Sequence, residues 1–408
     1  MRCVKEEGSL MKSYDYQLWL CSIPDLYWQK RMALLRYFGT AKELWEAPEE
    51  EFDTWKNTGI TWIHKVISRR SECFLEQVKR TMEQKHIAFV PDDDLSFPQR
   101  LKKIPDCPHG IFYKGTLPPE DTVSVAIVGA RSCSNYGNVI ASELAHVLAE
   151  QNIPVISGMA LGIDGIAQKA ALEAGGRSYG VLGCGADICY PKEHIQLYLD
   201  LPQHGAVLSE FACQVPPLKP NFPARNRIIS GLADIVVVVE AREKSGSLIT
   251  AGTALSQGKE VYAVPGRCSD PRSMGCNRLI SDGAYLYLTP EDLMERAKEM
   301  AVNHNLKAGS ASGHNKNTGI NAGHRSGTDG GARKKSPGKP ESGRKEYASS
   351  TARVILQTMD LEPLTLNDLL LKTSLSSADA AEGLLELQFS GAVKEVARNV
   401  YVRTSSVP

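Results

Sequence analysis

From Val123 to about residue 296 the chain repeats one pattern: a short unbroken apolar run, a glycine or polar loop, then a longer segment with apolar residues at helical spacing. The runs are VSVAIVG, IPVISG, SYGVLG, AVLSEF, DIVVVVEA and EVYAVPG, and the intervening GNVIASELAHVLAEQ and DGIAQKAALEA have a plain helical period. A strand that is apolar without alternation is covered on both faces, which is the habit of parallel sheets flanked by helices. The pattern predicts an α/β fold with a doubly wound, Rossmann-like parallel sheet.

The flanks differ. The stretch YDYQLWLCSIPDLYWQKRMALLRYFG and the residues to about Gln84 carry apolar and aromatic side chains at helical spacing, which predicts an N-terminal helical (SAM-like) module over 1–87. HIAFV, the loop DDDLSFPQRL and GIFYKG then read as a strand-turn connection into a central domain over 88–300. Residues 301–349 are rich in Gly, Ser, Asn and Lys and poor in large apolar side chains, as expected of a flexible basic linker. Beyond it, STARVILQTM, LTLNDLLLKT, SSADAAEGLLELQFSG and AVKEVARNVYVR predict three short helices and a hairpin, a winged helix over 350–408.

Composition narrows the function classes. The 408 residues balance 47 Lys+Arg against 47 Asp+Glu, so any anion site must be local. Ten cysteines without a CxxC pair fit reduced thiols better than a disulfide frame or a zinc centre. No signal peptide or membrane-length apolar run is evident, so the expected compartment is the cytoplasm, with no membrane partner.

Local charge is uneven where ligands of such sheets bind, at the carboxyl ends of the strands. Residues 123–218 hold 4 Lys/Arg against 8 Asp/Glu, whereas 219–278 hold 9 against 5. The loop after the first run, GARSCSNYG, is not GxGxxG, and Ser157 stands where a dinucleotide site has an acidic residue, so no NAD or other cofactor is expected. Arg131 in that loop, together with Lys219, Arg225, Arg227 and Lys244, falls at the same sheet edge, and Phe222 sits among them. Cations that pair with phosphates, beside a ring on which a base stacks, suit single-stranded nucleic acid. Of the carboxylates at this edge, Asp164 reads as a helix N-cap, Glu210 and Glu240 have no nucleophile beside them, and His194 reads as solvated. Ser247 reads as the cap of the helix that follows AREKSGSLITAG.

GARSCSNYG, SGMALGIDGIA, GCGADICYPKE, FPARNRIISGLAD, EAREKSGSLITA and VPGRCSDPRSMGCNRLISDGA, in this order, resemble the DprA/Smf family of DNA-processing proteins. The resemblance spans most of 88–290. It implies a cytoplasmic homodimer without enzymatic activity that binds and protects single-stranded DNA and helps load the RecA recombinase, as in natural transformation. Carried onto this chain, it implies phosphate contacts at Arg131, Lys192 and Lys219, a base stacked on Phe222, and a pocket lined by Arg225, Asn226, Arg227 and Lys244. The loop groups taking phosphate oxygens would be Gly129, Ser132, Ser157, Gly158, Gly183, Gly185, Ser245 and Gly246. Two positions depart from the family pattern: Leu161 replaces an arginine and Gln168 a histidine. The N-terminal SIPDLYWQ lacks the glycine-rich hairpin of many relatives and is assigned no DNA contact. The alternative is a nucleotide sensor or phosphoribohydrolase-like enzyme on the same fold, whose PGGxGTxxE hallmark is absent here.

Overall fold

The computed structural model describes residues 11–53, 55, 62–311, 350–359, 364–373, 375, 377–389, 392–397 and 400–403. Six of its strands are the six apolar runs: β3 (Val125–Val128), β4 (Val155–Ser157), β5 (Ser178–Val181), β6 (Gly205–Ser209), β7 (Ile235–Val238) and β8 (Glu260–Ala263). All six are parallel. HIAFV and GIFYKG contribute the hairpin β1 (Ala88–Pro91) and β2 (Gly110–Gly115), which joins antiparallel to β6, and β9 (Tyr285–Leu286) closes the far edge. The sheet order is β1-β2-β6-β5-β4-β3-β7-β8-β9.

Strand composition follows from this layering. Ala126, Val128, Val236 and Val238 face a core shared with helices Asn221–Leu232 and Gly246–Ser256. Their neighbours Val125, Ile127, Ile235 and Val237 face the other core, under helices Asn135–Glu150, Ile163–Glu173 and Pro290–Ala311. Each residue of these strands is therefore interior, and no polar alternation survives.

The N-terminal helices Ser13–Ser22, Trp28–Phe38, Ala41–Glu46 and Glu72–Lys85 share a third core around Leu18, Trp19, Leu34 and Phe52. That core also takes in Phe89 of β1 and Phe112 of β2, so the module is seated on the hairpin end of the sheet. Thr40 starts the Ala41–Glu46 helix with a capping box, its Oγ1 accepting from the Glu43 N–H at 3.1 Å while the Glu43 carboxylate accepts the Thr40 N–H.

The chain divides into two compact units, 1–318 and 319–408. In the second, helices Ser350–Thr358, Leu366–Thr373 and Ser377–Phe389 accompany a three-stranded sheet in which β10 (Leu364–Thr365) is an addition to the expected hairpin of β11 (Val393–Ala397) and β12 (Val400–Arg403). Ala352, Ile355, Leu369, Leu384 and Tyr401 form its core. Of the segment expected as a linker, the helix Pro290–Ala311 occupies the beginning, and 312–349 lie outside the described residues. Among the described residues no helix is long and apolar enough to cross a membrane.

Candidate nucleic-acid interface

Ligands of open parallel sheets collect where the strand order reverses, here between β3 and β7. The Asn135–Glu150 helix begins at that point, with Ser134 as its N-cap accepting the Gly137 N–H at 3.1 Å. Glu240, 2% exposed at the end of β7, fills the adjoining space: its carboxylate accepts the Ser134 N–H at 2.8 Å and the Ser134 hydroxyl. A Cβ at Gly137 would stand 2.7 Å from that carboxyl group. The anion seat of the first helix is thus occupied by the chain's own carboxylate, and a dinucleotide pyrophosphate there would meet like charge.

Arg131, in the loop that leads into that helix, reaches Phe222. The ring is half-buried at the start of the Asn221–Leu232 helix and belongs to none of the hydrophobic cores. The Arg131 guanidinium lies 5.6 Å from its centroid, and Tyr190 lies 5.5 Å away in a tilted pair. Backbone comes close on a third side, since a Cβ at Gly183 would be 3.0 Å from the ring. Arg131, Lys192, Lys219 and Lys244 are all exposed. Asn226 ties the helix to the Lys244 loop by donating from Nδ2 to the Gly246 carbonyl at 3.4 Å. Tyr190 escaped the sequence reading; an aromatic two residues before Lys192 was its only signal.

The loops under these groups are tightly keyed. Gly162 adopts φ +74°, and a Cβ there would strike the carbonyls of Ala130 and Arg131 at 2.3 and 2.5 Å. Only glycine lets the second loop support the backbone that carries Arg131. Gln168, fully buried, accepts the Met159 N–H at 3.0 Å, and His194 Nδ1 approaches the Met159 carbonyl at 3.0 Å, which together hold Met159 at φ +53°. Gln168 therefore serves the loop's shape, and His194 is engaged with backbone and only half-exposed, not freely solvated. Leu161, 41% exposed, leaves the rim of this loop uncharged.

Several expected site residues lie underneath. Arg225 is 5% exposed, and its guanidinium donates to the Gly158 carbonyl at 2.7 Å, to the Val181 carbonyl, and to Asn226 Oδ1 at 3.3 Å. Burial lowers its pKa to about 10, opposed by the nearby Asp164 carboxylate. Asp164 is not the N-cap, which is Gly162. Its carboxylate accepts from the Gly158 N–H at 3.1 Å. Burial pushes it up from the usual carboxylate range, against the pull of Arg225 and the bonds from the Gly158 and Gly129 amides. The Ser157 hydroxyl donates to the Ile127 carbonyl at 2.6 Å, and the Gly185 N–H donates to Val215. Gly158, Ser157 and Gly185 thus have their polar groups already committed within the fold. Arg227, 6% exposed, pairs with Glu210 at 2.7 Å and Asp106 at 3.1 Å. The exposed loop groups are Ser132 and Gly246, with Gly129 and Ser245 partly exposed and Gly183 buried beneath Phe222. Capping of the Gly246–Ser256 helix falls to Ser245, whose Oγ accepts the Ser247 N–H at 3.4 Å, rather than to Ser247.

Residues 88–298 match the family model described as DNA recombination-mediator protein A. Protein Smf of Escherichia coli K12 is 38% identical over 293 residues, covering 69% of this chain and 75% of its own. The chain belongs to the DprA/Smf family. The DNA processing protein DprA of Streptococcus pneumoniae R6 is 42% identical over 211 residues, covering 52% of this chain and 74% of its own. The X-ray structure of DNA processing protein A from Streptococcus pneumoniae superposes with a TM-score of 0.58 at 32% identity, over 71% of this chain and 98% of that one. The DprA/Smf match covers the whole sheet from β1 to β9 and therefore every group of the Phe222 cluster.

Proposed function

We propose that the exposed edge around Phe222 binds single-stranded DNA without sequence preference, and that this is how the protein acts as a DNA recombination mediator, as in natural transformation. The observation that carries the reading is a half-buried aromatic ring outside every described core with the Arg131 guanidinium 5.6 Å from its centroid, while Lys192, Lys219 and Lys244 are exposed on the loops that follow Tyr190, precede Phe222 and are tied to Asn226. Such a ring takes a base on its face while the cations take phosphates on either side. Ser132, Ser245 and the neighbouring amides add neutral donors. Arg225 and Arg227 take a supporting part in this reading: they brace the loops and helix that present Phe222 and Arg131.

The reading treats the protein as a binder and not an enzyme, because Glu240, Glu210 and Asp164 each spend their carboxylates on hydrogen bonds or ion pairs within the fold. RecA as the protein partner, a homodimer as the working form, and a cytoplasmic setting extend the family resemblance. Binding to labelled single-stranded and double-stranded oligonucleotides over a salt series tests the proposal. A clear preference for single strands with a steep salt dependence is expected, and equal affinity for duplex would overturn it.

A further inference from the structure

The charge imbalance of residues 219–278 is only partly used by the Phe222 edge. Of the 9 cations there, Arg225 and Arg227 are buried, Lys259 donates to the Gly231 carbonyl at 3.3 Å, and Arg278 pairs with Asp282 at 3.2 Å. Lys219 and Lys244 belong to the edge already described. Arg242, Arg267 and Arg272 are left over, and all three lie on the loops that follow β7 and β8.

These two loops are locked together. The Ala241 N–H donates to the Arg272 carbonyl at 2.8 Å, and the Gly275 N–H donates to the Ala241 carbonyl at 2.8 Å. Asn277 holds Gly266 from both sides, Oδ1 accepting its N–H at 3.1 Å and Nδ2 donating to its carbonyl at 3.0 Å, which fixes the backbone next to Arg267. Asp270 takes Arg272 Nε at 3.2 Å and Nη2 at 3.3 Å, so that guanidinium is already paired. Arg242 and Arg267 are exposed, and their side chains have no hydrogen-bond or ion-pair partner among the described residues.

Tyr136 connects this patch to the first. The loop over residues 131–136 exposes Arg131, Ser132, Asn135 and Tyr136 to solvent. At one end the Arg131 guanidinium lies 5.6 Å from the Phe222 ring centre; at the other the Tyr136 hydroxyl donates to the Pro265 carbonyl at 3.1 Å, two residues before Arg267. That bond holds the tyrosine in place while leaving it 47% exposed, so its ring has little side-chain entropy to lose on binding. Underneath, the Glu240 carboxyl group packs where a Gly137 Cβ would stand, 2.7 Å away. Its buried charge repels a phosphate placed directly above, whereas the neutral face of a base meets no such penalty.

We propose that a single strand bound at Phe222 continues over the switch point to a second subsite, where a base stacks on Tyr136 and Arg242 and Arg267 take the phosphates beyond it. The inference deepens the single-strand reading above and rests on it. Stacking on a ring face is open to every base, so the subsite adds length dependence rather than sequence preference. From β5, whose following loop carries Lys192, to β8 is four strand spacings in the sheet order. That is about 19 Å, which a stacked strand rising about 3.4 Å per nucleotide crosses in about six nucleotides.

Full-length protein is compared on dT strands of about three and about twelve nucleotides, the first too short to span both rings and the second long enough. Affinities are read by competition with a labelled strand, so that weak ligands are measured too. Tyr136→Ala weakens the long strand about tenfold, the loss of one stacked base, and the short strand less than about twofold, while Tyr136→Phe keeps both. A loop merely damaged by the substitution would displace Arg131 as well and weaken the two lengths alike. Arg242→Ala and Arg267→Ala each flatten the salt slope of the long strand by about 0.7 and leave that of the short strand unchanged. A long strand carrying 5-iodouracil, irradiated in the complex and mapped by mass spectrometry, crosslinks to both Phe222 and Tyr136. Equal effects of Tyr136→Ala on the two lengths, slopes unmoved by both arginine changes, or crosslinks confined to Phe222 overturn the second subsite and leave the proposed function standing. Equal affinity for the long strand and its duplex overturns the proposed function, and the second subsite with it.

Discussion

Arg131 and Arg225 are both arginines at the same sheet edge, yet their environments assign them different work. Arg131 is exposed, so Arg131→Ala should leave folding intact, weaken single-strand binding alike for all sequences, and flatten the salt slope by about 0.7 per lost phosphate contact. Lys219→Ala should act in the same way, and unchanged slopes in both would count against the site. Phe222→Ala should cost roughly 1 to 3 kcal/mol of binding with little change of slope, because stacking releases no counterions. Arg225→Ala should instead appear in denaturant unfolding. It removes the positive charge that favours the ionised Asp164 and leaves two buried carbonyls without their donor, a loss of roughly 1 to 3 kcal/mol for each carbonyl.

At the scale of elements, the difference between those arginines was present in the sequence as a period. Asn221, Arg225, Ile228, Ile229 and Leu232 fall at i, i+4, i+7, i+8 and i+11, and they are buried residues of one helix. PPLKPNFPARNR reads as a loop because four prolines and three cations mask the spacing, so Arg225 and Arg227 looked like ligands of phosphate. The strands, by contrast, were legible residue by residue, since a strand covered on both faces needs apolar side chains throughout and nothing else in the chain does. Partners distant in sequence left no local mark: Glu240 on Ser134 and Arg31 on Glu210 are products of the fold. The elements after residue 349 have a core of their own. Deleting 350–408 is therefore expected to leave single-strand affinity within about threefold, since the Phe222 cluster lies wholly in the other unit. The acidic Ser377–Phe389 helix, with Asp379 and no Lys or Arg, predicts that it contacts protein rather than duplex DNA.

At the scale of the whole first unit, the helical module is fastened to the sheet by apolar contact around Phe89 and Phe112 and by the Arg31–Glu210–Arg227 ions. Glu210→Ala leaves two buried guanidiniums facing each other and should destabilise the protein by about 3 to 5 kcal/mol, seen as a lower denaturant midpoint. A chain indifferent to that change would show the seam to be held by the apolar contacts alone.

The strand order also governs how the chain is made. Val125 of β3 pairs with Val155 thirty residues on, but its other partner, Ile235 of β7, follows 110 residues later. At ribosomal speeds of roughly 5 to 20 residues per second, the central strand waits about 5 to 20 s with one edge bare. The hairpin β1–β2 waits too, until β6 emerges. Nascent chains halted before residue 238 should therefore aggregate or recruit chaperones, whereas those released after β8 should not. The chain spends its own synthesis with an unpaired edge to protect.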